Sequence, residues 1–113
     1  MKLLSHYGST DGSTEGYLFW CPGCGFPHPV DVKHPKRSWT FNGSLTAPTF
    51  QPSLLVYGDH ELGVKDPTRP RCHSFVRDGR IQFLGDSTHA LAGQTVPIPP
   101  WRGWDNDAPP EAA

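Results

Sequence analysis

The stretch Cys72-His73-Ser74-Phe75-Val76-Arg77-Asp78-Gly79-Arg80-Ile81-Gln82-Phe83-Leu84 reads as a β hairpin, because Asp78-Gly79 between two β-rich arms suits a two-residue type I′ turn. The turn sets a register in which Arg77 opposes Arg80, Val76 opposes Ile81, Phe75 opposes Gln82, Ser74 opposes Phe83 and His73 opposes Leu84. Side chains alternate across a strand, so Cys72, Ser74, Val76, Ile81 and Phe83 are expected on the core face, with His73 and Phe75 on the other. The composition agrees with short strands and tight turns. Thirteen prolines and twelve glycines among 113 residues, only 35 % of them hydrophobic, disfavour long helices. A single, mainly β domain is expected over residues 1–105, with 106–113, mostly proline, acid and alanine, as a disordered tail.

Upstream of the hairpin, Tyr17-Leu18-Phe19-Trp20 reads as a strand that runs into Cys21-Pro22-Gly23-Cys24-Gly25. Two thiols two residues apart with a glycine after the second can wrap one metal ion, and Cys72 supplies a third thiol from the hairpin. Structural zinc takes four tetrahedral sulfur or imidazole ligands, so the expected set is Cys21, Cys24, Cys72 and a histidine. His73, adjacent to Cys72, is placed first for that position on the assumption of a bend there, ahead of His28 and His89. A thioredoxin-like pair would need a helix after Cys24, where residues 25–38 instead hold three prolines and no helical period. The fold class that follows is a small zinc-stapled antiparallel β-sheet domain, a zinc-ribbon-like knuckle plus hairpins, with one short helix.

That helix is expected at Gly85-Asp86-Ser87-Thr88-His89-Ala90-Leu91-Ala92-Gly93, capped by Asp86 or Ser87 and stopped by Gly93. Elsewhere, Ser38–Phe41 ending at Asn42-Gly43 signals a hairpin or sharp corner, and Ser53-Leu54-Leu55-Val56-Tyr57 a buried strand. Residues 58–71 read as a surface excursion, and Thr95-Val96-Pro97-Ile98 as an edge strand, since proline cannot donate to a central ladder.

Function is less marked. A net charge of −1 leaves no electrostatic footprint for nucleic acid and no polybasic membrane patch. No signal-peptide run and no span of about 18 apolar residues occurs, so a location in a reducing cytoplasm is expected, in keeping with three free cysteines. Ser74, Ser87 and the cysteines show no nucleophile elbow or triad spacing. Zinc deaminase, zinc protease and P-loop signatures are absent. Asp86 and His89, three apart, are the one acid and imidazole pair at helical spacing, and an open metal site beside them is the alternative: a zinc-dependent hydrolase. Against it stands a zinc-stabilised protein-binding module, with Trp101-Arg102-Gly103-Trp104 as an exposed interface motif.

Taken together, Cys21-Pro-Gly-Cys-Gly25, Trp39-x-Phe-Asn-Gly43, Pro48-Thr-Phe-Gln-Pro-Ser53, Cys72-His-Ser-Phe-Val-Arg-Asp-Gly79 and Thr88-His-Ala-Leu-Ala-Gly-Gln-Thr95 make the chain, over roughly residues 17–101, resemble a family of small phage and prophage proteins. Some of these carry the label ammonia monooxygenase, which neither a membrane span nor a copper-type histidine cluster supports here. The chain is also distantly similar to a bacterial domain in which a cysteine cluster precedes a Cys-x-x-His and a β hairpin; there the histidine falls where His73 stands. The resemblance implies a phage accessory protein in the host cytoplasm, with a host or phage protein as partner.

Overall fold

A computed structural model describes residues 2–57 and 71–101. Among the described residues, eight antiparallel strands form two sheets: β1 (Leu4–Gly8), β2 (Glu15–Cys21) and β3 (Phe26–Lys33) in the order β1-β2-β3, and β4 (Thr40–Phe41), β5 (Phe50–Tyr57), β6 (Arg71–Arg77), β7 (Arg80–Phe83) and β8 (Thr95–Pro97) in the order β4-β5-β6-β7-β8. One core serves both sheets. Leu4, Phe19, Cys21 and Val30 meet Phe50, Leu54, Cys72, Val76, Ile81 and Phe83, all buried. The alternation that produces this core is visible in β6 and β7, where every second side chain turns inward.

The β6–β7 hairpin has the register its turn dictates, from Arg77 opposite Arg80 to Ser74 opposite Phe83. Asp78 and Gly79 both take positive φ, 50° and 77°, as a type I′ turn requires. The cysteine knuckle is itself a hairpin turn: β2 ends at Cys21, the Gly25 N–H donates to the Cys21 carbonyl at 2.9 Å, and β3 leaves at Phe26, opposite Cys21. Between β4 and β5 the Asn42 side chain accepts from the Ser44 and Thr49 N–H groups and closes the corner expected at Asn42-Gly43.

Three features depart from expectation. The first strand lies upstream of Tyr17, since Leu3 and Leu4 are buried and β1 pairs along β2. Leu55, inside an expected buried strand, is 45 % exposed. The short helix over 85–93 does not form; the segment is a string of turns, with Ser87 N–H donating to Leu84 O, Ala92 to His89 O and Gln94 to Leu91 O. Its cap residues are engaged elsewhere. The Ser87 hydroxyl accepts from the His73 N–H and donates to the His73 carbonyl, both at 3.0 Å, and the Thr88 hydroxyl does the same for Arg71 at 2.9 and 3.2 Å. Local side-chain bonds of this kind compete with helix, and here they fasten the segment along β6. Residues 58–70 and 102–113, which include Trp104, the tail and all of the expected excursion except Arg71, the first residue of β6, lie outside the described residues.

Candidate active site and metal centre

Two constellations share β6. On its inner face, the ligand atoms of Cys21, Cys24, Cys72 and His89 all lie within 4.8 Å of one another. Cys21 and Cys72 sulfurs are 3.9 Å apart, and His89 Nε2 is 3.4 Å from the Cys72 sulfur. A disulfide needs about 2.05 Å, whereas sulfurs held at about 2.3 Å from one tetrahedral ion sit about 3.8 Å from each other. The donor set and its spacing therefore fit a metal ion. Charge on the thiols fits as well. A hydrogen bond from the Cys72 thiol lowers Cys21 to about 4 and so favours its thiolate, while burial and then the charge on Cys21 push Cys24 up to about 11. Cys72 is raised too, first by its bond to Cys21 and then by burial. Four thiolate and imidazole donors would accommodate these competing charges on one cation.

Gly23 makes room for the fourth donor. A Cβ at this position would come within 2.3–2.7 Å of three atoms of the His89 ring, which packs edge-on against Phe83 with centroids 4.4 Å apart. Gly23→Ala is expected to displace His89 and weaken metal binding by about tenfold or more, read by competition with a chromogenic chelator. Equal affinity for the variant and the parent would remove His89 from the site.

On the outer face of β6 stands His73. Its Nδ1 lies 3.1 and 3.2 Å from the two Asp86 carboxylate oxygens, and its Nε2 lies 3.1 Å from the Ser53 hydroxyl. Serine, imidazole and carboxylate thus form a line, the arrangement in which a histidine can take the serine proton while the acid fixes its tautomer. Each member is placed by a local device. Between Phe50, opposite Val76, and Leu54, opposite Ser74, three residues of β5 face Phe75 alone, and this bulge turns Ser53 out of the ladder toward His73. The Ser53 carbonyl is anchored by the Trp39 indole N–H at 3.1 Å. Asp86 is delivered by the segment that Ser87 and Thr88 clip to β6. All three remain reachable: Ser53 is half-buried, and the side chains of His73 and Asp86 are 27 % and 48 % exposed.

A family model described as bacterial ubiquitination-like system serine protease (BubE) matches residues 3–84. The chain belongs to that family. No curated protein and no solved structure matches it. The BubE match takes in Ser53, His73 and all three cysteines and ends ahead of Asp86 and His89, so the last two are joined to the site by geometry. The family description names a bacterial system.

For this BubE member, the residues expected around one metal separate into the two constellations. Cys21, Cys24 and Cys72 come together; His73 does not join them, because regular alternation continues through Cys72 and His73 with no bend between them. His89 stands in its place. Asp86 and His89, expected on one helical face, diverge to His73 and to the cysteines. His28 is buried, edge-on to Phe19 and Phe26, with no hydrogen-bond partner at either ring nitrogen among the described residues. Trp101 is buried and its N–H donates to the Lys2 carbonyl, so it caps the core. Sequence reasoning missed Ser53. The available signal was Pro52 just before it, a residue that interrupts a central ladder. No helix among the described residues is long and apolar enough to cross a membrane.

Proposed function

We propose that the chain is a serine protease of a bacterial ubiquitination-like system, cutting a peptide or isopeptide bond with Ser53 as nucleophile, His73 as general base and acid, and Asp86 as the group that orients His73. The observation that carries this reading is the line from Ser53 Oγ through both His73 ring nitrogens to Asp86. In the first half-reaction Ser53 Oγ bonds to the substrate carbonyl carbon as its proton passes to His73 Nε2. His73 then gives that proton to the departing amine, the C–N bond breaks, and an acyl group is left on Ser53. Water attacks the ester, its proton passing to His73 and on to Ser53 as the acid product leaves. Leu55, exposed and directly opposite His73, offers apolar surface to the substrate at the reacting bond.

The metal in this proposal is zinc, held by Cys21, Cys24, Cys72 and His89. Four protein donors leave no position for water, so zinc supplies a cross-link and the reaction needs only the chain's own residues. Phage or prophage carriage and a host-cytoplasmic setting belong to the proposal through the sequence resemblance, and the protein partner is then the substrate. A fluorophosphonate probe tests the chemistry. The probe should label Ser53, identified by peptide mass spectrometry, and Ser53→Ala should take no label. Absence of labelling in the parent, or a label on another serine, would refute the assignment.

A further inference from the structure

Beyond Phe75, the outer face that carries His73 continues into a depression of about 510 Å³ lined by Phe75, Arg77, Asp78, Arg80, Gln82 and Thr95. Alternation places Phe75 and Arg77 on the side of β6 that bears His73, and the hairpin register sets Gln82 and Arg80 opposite them. One feature of this depression lacks a purpose in the fold. Arg77 and Arg80 face each other directly, and like charges in opposed positions destabilise a strand pair. Both are exposed, and neither is in an ion pair among the described residues. The Arg77 guanidinium lies over the Phe75 ring, 4.7 Å from its centroid, a contact that engages its face and not its N–H donors. Asp78 is held at the turn by its N–H to the Thr49 hydroxyl at 2.9 Å, and two arginines against this one acid leave a positive balance.

We propose that this depression is a substrate subsite for a carboxylate, filled by an acidic side chain about four residues from the bond that Ser53 attacks. The inference rests on the protease reading and adds a specificity to it. The spacing follows from the strand: Arg77 is four residues past His73 on the same face, and an extended substrate advances by the same 3.3 Å or so per residue as β6. Paired guanidinium groups suit a carboxylate because charge-assisted, forked hydrogen bonds to it are among the strongest a surface offers.

Peptide cleavage profiling of the metal-loaded full chain tests the subsite. With a proteome-derived peptide library, the wild type should give products enriched about fivefold or more in Asp and Glu at three to five residues from the cut bond. Arg77→Gln with Arg80→Gln should flatten that enrichment, and Arg77→Glu with Arg80→Glu should reverse it toward Lys and Arg. A reversed preference requires a folded, active protein, so misfolding cannot imitate it. No acidic enrichment in the wild type, or the same enrichment in both variants, overturns the subsite and leaves Ser53 chemistry standing. If the library stays uncut although the fluorophosphonate labels Ser53, competition decides: poly-L-glutamate should slow labelling about fivefold at low salt and far less at high salt, and poly-L-lysine should not. Equal effects of the two polymers overturn the subsite. A wild type that takes no label at all removes the protease reading, and the subsite with it.

Discussion

Replacement of His73 by alanine should lower turnover by about 10⁴-fold or more, the order seen when a member of a serine triad is removed, while metal content stays unchanged. The expectation follows from its two bonds, 3.1 Å to Ser53 and 3.1 Å to Asp86: without the imidazole neither the hydroxyl proton nor the leaving amine has a partner. Asp86→Asn provides the sharper contrast. If the bond from Asp86 to His73 served only the fold, its loss would cost about 1 kcal/mol of stability and leave turnover alone. As the group that fixes the His73 tautomer it should cost about 10²-fold or more in turnover, with the melting point close to that of the parent. Steady-state kinetics beside thermal melts separates these outcomes. Turnover within tenfold of the parent in both variants would show that the line of three residues is not the engine of the reaction.

How far the sequence exposes this arrangement depends on the range of the interactions involved. The β6–β7 hairpin was legible because Asp78-Gly79 fixes register within two residues, and register then assigns Cys72 to one face and His73 to the other. That alternation already argued against His73 as the fourth metal ligand. Adjacency in sequence suggested a bend at Cys72-His73, but adjacent residues in a strand point apart, and the strand runs on unbroken. The knuckle was legible for a similar reason, with Cys21 and Cys24 inside one turn. Ser53, Asp86 and His89 were not. Ser53 reaches His73 through a bulge that exists only when β5 is paired to β6, and a bulge is a property of the pair. Asp86 and His89 carry the pattern of a capped helix, yet Ser87 and Thr88 spend their hydroxyl groups on the backbone of β6, a contact between residues 14 and 17 positions apart. Propensity within a nine-residue window cannot register such partners.

Removal of the proposed metal should have the second large effect, because the two constellations are tied at both ends. Cys72 precedes His73 on β6, and His89 follows Asp86 by three residues in the turn segment, so an ion held between Cys72 and His89 also fixes the separation of His73 from Asp86. Cys21 and Cys24 extend the clamp to the β2–β3 turn, joining the two sheets. In small zinc peptides the apparent metal-binding free energy is on the order of 10 kcal/mol, as large as the whole folding stability of an ordinary domain, about 5–15 kcal/mol. Without the ion, a thiolate at Cys21 would sit buried beside thiols that its charge opposes ionising. Stripping the protein with a strong chelator should therefore abolish the cooperative melt and the fluorophosphonate labelling of Ser53 together, and stoichiometric zinc should restore both. Cys72→Ser should behave like the stripped protein and resist that rescue. Should the stripped chain keep its melting point yet lose labelling, the ion would belong to the active site rather than to the scaffold; should it keep both, the Cys21, Cys24, Cys72 and His89 group would hold no metal that matters to the fold.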